Sequence, residues 1–221
     1  GAGVFVVDDP HARPVVEELP EMRDGYSVDY TELSKVRKQV LVERHLVSRE
    51  HAARTTGCAV VIDRKQSISV MINEEDHFRL QGIRPGLNLR GAYELVDRID
   101  TEMDAGLPYA FDGKLGYLTA CPTNLGTGMR ASVMLHLPGL VLLDQINPVI
   151  KAVGKIGLAV RGLYGEGTEA LGNLFQISNQ HTLGESEPEI ITQIEKVIEG
   201  VIRSEQTARA KLLEDHHTML S

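Results

Sequence analysis

The stretch from residue 116 to residue 137 constrains the fold most, because two apolar runs in it flank a polar turn. Residues 117–120 and 131–137 are rich in apolar and β-branched side chains and are predicted to be buried strands. The residues between them include several breakers of regular structure: Pro122, Asn124, Gly126 and Gly128. Cys121 and Arg130 lie at the two ends of this connection, so the chain presents its reactive groups on a loop that strands hold in place.

The composition favours a substantial core and argues against two kinds of partner. The 221 residues are 42% hydrophobic, which suits one large domain, the preferred interpretation, or two small ones. The net charge of −8 argues against a general nucleic-acid surface and is compatible with a cationic substrate. No run approaches the roughly 18 uncharged apolar residues of a membrane-spanning helix, so no membrane partner is predicted.

The two cysteines, Cys58 and Cys121, are expected to be reduced, since a chain of this size needs no disulfide for stability. The N-terminus lacks a basic region followed by an apolar segment, so export is not indicated and a cytoplasmic protein is expected. The cysteines and histidines do not have the spacing of a structural zinc site, and no G-x-x-x-x-G-K-[ST] loop occurs. The sequence therefore predicts no protein-bound metal site and no P-loop enzyme.

Several short strands are predicted from apolar runs. Residues 58–63 and 67–72 form a predicted hairpin around a charged turn, and an extended segment follows over 78–83. Two more short strands are predicted over 156–161 and 174–178.

Helices are predicted where apolar residues recur every three or four positions. The pattern indicates one helix over 87–103 and another helical region over 138–154, which Pro148 kinks or restarts. A long helix is predicted after the Ser186–Glu189 capping box. Residues 36–47 fit either a strand or a short helix, since periodicity does not decide between them.

Two loops carry candidate chemistry. Residues 73–77, Asn-Glu-Glu-Asp-His, place three acids in a row, and their repulsion is most easily explained by a bound cation, with a solvated loop as the alternative. Residues 162–172 contain four glycines and suit a loop that closes over a substrate, with a plain surface loop as the alternative.

Four blocks in order resemble one enzyme family. Residues 121–127, Cys-Pro-Thr-Asn-Leu-Gly-Thr, resemble the signature of the ATP:guanidino phosphotransferases, the family of creatine and arginine kinases. Residues 72–77, 161–166 and 176–179 agree with the same family. Within it the chain is most similar to the bacterial protein-arginine kinases, on residues 40–46, 126–133 and 164–170. The expected fold is α+β, a mostly antiparallel β-sheet flanked by helices.

The resemblance implies roles for individual residues. Glu75 and Glu166 match the glutamates that hold the acceptor guanidinium, and Cys121 would add a thiolate contact without forming a covalent intermediate. Arg79, Arg130 and Arg161 match the phosphate-binding arginines and are expected to converge on one nucleotide. The remaining residues implied in nucleotide binding are His45, Ala131, Ser132, Val133, Met134, Gly162, Leu163, Tyr164, Gly165 and Glu166. ATP and Mg²⁺ are the implied cofactors.

The expected function is transfer of the ATP γ-phosphate to arginine residues in proteins. The family further implies that such proteins are marked for a Clp-type protease, and it implies an activator protein and a homodimer as partners. A small-molecule phosphagen kinase is the alternative within the same chemistry. A non-catalytic nucleotide- or arginine-binding module is the alternative outside it, because the family's S-x-R-x-R element does not occur in these residues.

The expected organisation has three parts. Residues 1–35 are an N-terminal segment with little pattern, residues 36–214 are the catalytic domain, and residues 215–221 are a tail. The chain starts with glycine and lacks the upstream arginine element, so the catalytic domain is expected to be incomplete on its N-terminal side.

Overall fold

The computed structural model describes residues 12–162 and 171–220. The chain divides into two compact units, Gly1–Met129 and Arg130–Ser221, where the sequence favoured a single domain. The division falls inside the stretch from residue 116 to residue 137, between the two apolar runs.

The first unit contains a four-stranded antiparallel sheet. Its strands are β1 (Tyr26–Asp29), β2 (Ala59–Ile62), β3 (Ile68–Ile72) and β4 (Phe78–Gly82), and they neighbour one another in chain order. The β2–β3 hairpin and the β4 strand confirm the sequence prediction. The turn between β2 and β3 closes on Asp63, whose carboxylate accepts hydrogen bonds from the backbone N–H groups of Ser67 and Ile68 at 2.6 and 2.7 Å.

Helices cover both faces of this sheet. The helices α1 (Ala12–Glu18) and α4 (Leu89–Gly106) pack on one face, where Ile99 and Met103 are fully buried. The helices α2 (Lys35–Glu43) and α3 (Arg49–Ala53) pack on the other face. Residues 36–47 are therefore mainly helical, and residues 12–35 contribute α1, β1 and the 3₁₀ helix Tyr30–Glu32 to the unit.

A short hairpin leads into the cysteine segment. It consists of β5 (Phe111–Asp112) and β6 (Gly116–Tyr117), so the predicted strand over 117–120 was wrong beyond Tyr117. The N–H of Tyr117 instead donates to the carbonyl of Gly126 at 2.9 Å. Gly116 has φ of +75°, and a Cβ there would lie 2.6 Å from the Gly126 oxygen, so this close approach requires glycine. The 3₁₀ helix Pro122–Asn124 lies within the loop that follows.

The second unit contains a three-stranded antiparallel sheet. The strand β7 (Ser132–His136) confirms the predicted strand over 131–137, and β8 (Leu158–Gly162) and β9 (Leu174–Asn179) confirm the two short strands. The spatial order is β7-β9-β8, so β9 is the central strand. The 3₁₀ helix Leu171–Asn173 leads directly into β9.

Three helices complete the second unit: α5 (Pro138–Leu142), α6 (Ile146–Lys155) and α7 (Glu187–Leu220). The helical region restarts before Pro148, which occupies the first turn of α6, where a missing N–H costs little. The capping box is confirmed, because the N–H of Ser186 donates to Glu189 Oε2 at 2.8 Å. Ile190, Ile194 and Ile198 are buried on α7, which packs against β9 and α5.

All strand ladders in the described part of the chain are antiparallel, and helices flank the sheets, so the predicted α+β class is confirmed. The strands form three sheets in that part and not one. The predicted boundaries of the catalytic domain, residues 36–214, stay a prediction.

Candidate active site

The acidic loop, residues 73–77, connects β3 to β4, and its two glutamates differ in burial. Glu74 is buried, with 8% of its surface exposed, whereas Glu75 is exposed. The loop is a tight turn, because the N–H of Asn73, at φ of +57°, donates to the carbonyl of His77 at 2.8 Å. Glu75 is therefore the glutamate of the pair that can reach a substrate.

Glu74 is held by hydrogen bonds on both carboxylate oxygens. Ser48 Oγ donates to Oε1 at 2.7 Å, the N–H of Glu75 donates to Oε2 at 2.9 Å, and Arg79 Nη1 lies 3.4 Å from Oε1. Burial raises the pKa of the Glu74 carboxyl, but these hydrogen bonds and the charge of Arg79 outweigh it, so the pKa lies below its ordinary value. Glu74 is therefore ionised at neutral pH.

The cysteine loop, residues 118–126, is tied to the acidic loop by one hydrogen bond. The N–H of Ala120 donates to Asp76 Oδ1 at 2.6 Å. Glu75 and Cys121 are the chain neighbours of these two residues, so the bond brings two of the predicted catalytic residues to adjoining loops. Cys121 Sγ lies 3.0 Å from the hydroxyl oxygen of Thr123, within hydrogen-bonding distance.

The edge strand β4 carries Arg79 and anchors His45. Arg79 and Gln81 are two residues apart, so both side chains lie on the face of the sheet that α2 and α3 cover. The side-chain amide of Gln81 donates to the carbonyl of His45, which follows α2 at φ of +57°. Arg79 and His45 are thus brought to the same face of β4.

The second sheet has one open face. On it Met134 of β7 and Arg161 of β8 both pair with Gln176 of the central strand β9, so the three side chains form a row across the sheet. Met134 and Arg161 are exposed. Ser132 lies on the same face and its hydroxyl accepts a hydrogen bond from Gln176 Nε2 at 2.9 Å. The predicted nucleotide contacts Ser132, Met134 and Arg161 are therefore brought together.

The backbone before β7 is fixed by Asn179. Its side-chain oxygen accepts from the N–H of Ala131 at 2.8 Å, and its amide donates to the carbonyl of His181 at 2.8 Å. Arg130 is exposed and immediately precedes Ala131, whose backbone is held by Asn179. Val133 points to the opposite face, beside buried Ile177, so only its backbone can contact a ligand on the open face.

A family model described as ATP:guanido phosphotransferase, C-terminal catalytic domain, matches residues 11–208. The chain belongs to this family. It is 52% identical over 205 residues to a protein-arginine kinase from Pelotomaculum thermopropionicum, a match covering 92% of this chain and 58% of that protein. The chain spans about half to three-fifths of the length of the curated relatives it matches.

Solved structures of the family share the fold. A lombricine kinase matches with a TM-score of 0.75 and 26% identity, covering 90% of this chain and 58% of that one. The duplicated taurocyamine kinase from Schistosoma mansoni, with bound components of a transition-state analogue, matches with a TM-score of 0.74 and 29% identity. That match covers 87% of this chain and 28% of the other.

Some predicted site residues of this family member lie outside the described residues: Leu163, Tyr164, Gly165 and Glu166. Gly162 ends β8 and is described. Convergence of Arg79, Arg130 and Arg161 on one nucleotide stays a prediction, as does closure of the glycine-rich loop. Within residues 12–162 and 171–220, no group of three or more His, Cys, Asp or Glu side chains could hold a metal ion, and no helix could span a membrane.

Sequence reasoning assigned no role to Glu74, Gln176 or Asn179. Each makes side-chain hydrogen bonds that position a predicted site residue. Gln176 and Asn179 lie in a block that resembles the family, so the signal for them was present. For Glu74 the signal was weaker, since three adjacent acids do not reveal which one is buried.

Proposed function

We propose that the protein carrying this chain is an ATP-dependent protein-arginine kinase, which transfers the γ-phosphate of ATP to the guanidinium group of arginine residues in proteins. The observation that carries the proposal is the Asp76–Ala120 hydrogen bond. This bond joins the loop of the exposed Glu75 to the loop of the half-exposed Cys121. These are the two described side chains proposed to bind the acceptor guanidinium.

The acceptor guanidinium is a protonated, planar cation and a poor nucleophile. Glu75 would accept paired hydrogen bonds from its N–H groups and take a proton as the N–P bond forms. Cys121, beside the Thr123 hydroxyl, would contribute partial negative charge that orients the same cation. Glu166 is the second proposed carboxylate. The phosphoryl group passes directly to the guanidinium nitrogen, ADP leaves, and no enzyme-bound phosphoryl group forms.

The nucleotide would be bound mainly through arginines and the open face of the second sheet. Arg79, Arg130 and Arg161 would share the charge of the phosphates, as phosphoryl transfer requires. Met134 offers an apolar surface for the adenine, and His45 is a further proposed contact. Mg²⁺ would enter with ATP and neutralise charge on its phosphates.

A protein substrate is preferred to a small molecule because the curated relatives at about 50% identity are protein-arginine kinases. The solved neighbours are lombricine and taurocyamine kinases, so a small-molecule guanidino kinase is the second candidate. The test uses one unstructured protein in two versions, with arginines or with lysines in their place. ADP release that depends on the arginine version supports the proposal, and equal release from both contradicts it.

The remaining proposals rest on the family alone. On that ground we propose that the protein is cytoplasmic and forms a homodimer. We also propose that it has an activator protein and that the proteins it phosphorylates are delivered to a Clp-type protease. Degradation of an arginine-rich protein by such a protease, in the presence of the kinase and ATP, is the experiment for the last of these. Degradation at the same rate without ATP-dependent phosphorylation would contradict it.

A further inference from the structure

Residues 48–54, called the α3 segment because they contain the short helix α3, present three side chains to the end of β3 and to the acidic loop that follows it. Ser48, just before the helix, donates from Oγ to Glu74 Oε1 at 2.7 Å. Arg54, just after it, donates from Nη2 to the carbonyl oxygen of Glu74 at 2.7 Å. Between them His51 Nε2 lies 3.1 Å from the carbonyl oxygen of Ile72, the last residue of β3. One helical segment therefore contacts both the start of the loop and its buried glutamate.

The His51 contact defines a tautomer. A carbonyl oxygen can only accept, so Nε2 carries the hydrogen, and Nδ1 accepts from the hydroxyl of Tyr30 at 2.6 Å. The side chain of His51 is fully buried, and burial lowers its pKa, so the imidazole is neutral at pH 7. Tyr30, His51 and Ile72 thus form a buried hydrogen-bonded chain that ends at the acidic loop.

Glu74 connects the two sides of the proposed reaction. Its Oε2 accepts from the N–H of Glu75, the proposed acceptor residue, and its Oε1 faces the guanidinium of Arg79, the proposed phosphate-binding residue. Because Ser48 donates to the same Oε1, the carboxylate is fixed by α3 before either substrate binds. The carboxyl group of Glu74 stays ionised at neutral pH, since its pKa is lowered.

We infer that Ser48 and Arg54, acting through Glu74, and His51, acting through Ile72, are positioning residues that set Glu75 and Arg79 for phosphoryl transfer. This inference rests on the proposed function. Transfer needs the reacting atoms in near-attack geometry, and a misplacement of about 1 Å costs on the order of 100-fold in rate. Neither Ser48 nor Glu74 needs to touch a substrate for this effect.

The test compares two serines that both cap helices. Ser48 Oγ accepts from the N–H of His51 at 2.9 Å as the N-cap of α3, and Ser34 Oγ accepts from the N–H of Arg37 at 3.3 Å as the N-cap of α2. Only Ser48 also donates to the acidic loop. Ser48→Ala and Ser34→Ala each remove one cap, whereas Ser48→Thr keeps both the cap and the hydroxyl donor.

Kinetics give the first readout. For Ser48→Ala we expect kcat/KM for an arginine-containing protein to fall about ten-fold or more, while the Kd for ATP stays within about three-fold. Ser48→Thr and Ser34→Ala are expected to stay within about two-fold of the parent. Equal rates for Ser48→Ala and Ser34→Ala would overturn the inference. If Ser48→Ala does not fold, Glu74→Gln replaces it, because the amide keeps the shape but offers an N–H₂ group where Oε2 accepted from Glu75.

Backbone hydrogen exchange gives a readout that does not depend on activity. Ser48→Ala should speed exchange of the amides over residues 73–79, whereas Ser34→Ala should leave them as in the parent. Unchanged exchange in Ser48→Ala would overturn the inference even in an active protein. A parent that phosphorylates no arginine would refute the proposed function, and the exchange comparison would still decide whether the α3 segment holds the loop.

Discussion

Replacing Glu75 by glutamine separates its chemical role from any structural role. Glu75 is exposed, and its carboxylate makes no hydrogen bond or ion pair in the described part of the chain. Its N–H bond to Glu74 is a backbone contact and survives the substitution. We therefore expect the free energy of unfolding to change by less than about 0.5 kcal/mol.

The expected catalytic loss follows from the contacts that the amide cannot make. A hydrogen bond to a charged group contributes about 1.5–3 kcal/mol, so the loss of one such contact to the guanidinium lowers kcat/KM roughly 10- to 150-fold. If Glu75 also takes the proton, general-base catalysis adds on the order of 100- to 10,000-fold. We expect Glu75→Gln to lose at least about 1,000-fold in phosphoarginine formation, while the affinity for ATP is retained.

The assay pairs calorimetric titration of ATP with measurement of phosphoarginine in an acceptor protein. Glu94→Gln is the matched control, since Glu94 is an exposed glutamate on α4. The control should behave as the parent in both measurements. Loss of ATP binding by a folded Glu75→Gln protein, or transfer within about ten-fold of the parent, would refute the assignment of Glu75 to the acceptor.

Three further predictions concern other parts of the molecule. Arg130→Ala should weaken ATP binding by about 1.5–3 kcal/mol, with acceptor affinity retained, and an unchanged nucleotide Kd would remove Arg130 from the site. Half-exposed Cys121 should be alkylated faster than Cys58, which is 3% exposed and whose pKa burial raises, and ATP with an arginine peptide should protect it; equal rates would contradict this. Burial lowers the pKa of His51 in the folded state, so below about pH 6.5 the unfolded chain binds a proton that the folded chain does not. The free energy of unfolding therefore decreases as the pH is lowered, by up to about 1.4 kcal/mol per pH unit. Urea unfolding at two pH values should show a smaller loss in His51→Gln, and an identical loss would rule out His51 as the source.

Local sequence pattern was sufficient to predict a segment whose backbone groups find hydrogen-bond partners nearby in the chain. The β2–β3 hairpin and α7 followed from apolar periodicity and the Ser186–Glu189 capping box, because short-range hydrogen bonds hold the turn of the hairpin and the start of the helix. Residues 36–47 stayed ambiguous although Ser34 supplies an N-cap, which is the signal that favours the helix.

Prediction from local sequence pattern was wrong where long-range contacts replace the hydrogen bonds between neighbouring strands. Residues 118–120 have the composition of a strand, but the N–H of Ala120 is taken by Asp76, 44 positions earlier in the chain. The bond from Ser48 to Glu74 spans 26 positions. Such pairs depend on how the sheet and α3 pack, so the sequence identified the acidic loop and the cysteine loop as separate candidates without the contacts that join or support them.

Protein-arginine kinase activity is tested most directly by identifying the residue that receives the phosphate. The purified protein is incubated with Mg²⁺ and labelled ATP, together with an arginine-rich protein and, separately, free arginine at the same concentration of guanidinium groups. We expect label on arginine side chains of the protein, located by mass spectrometry, and slower labelling of free arginine. Free arginine labelled as fast as the protein, or label on hydroxyl side chains alone, would contradict it.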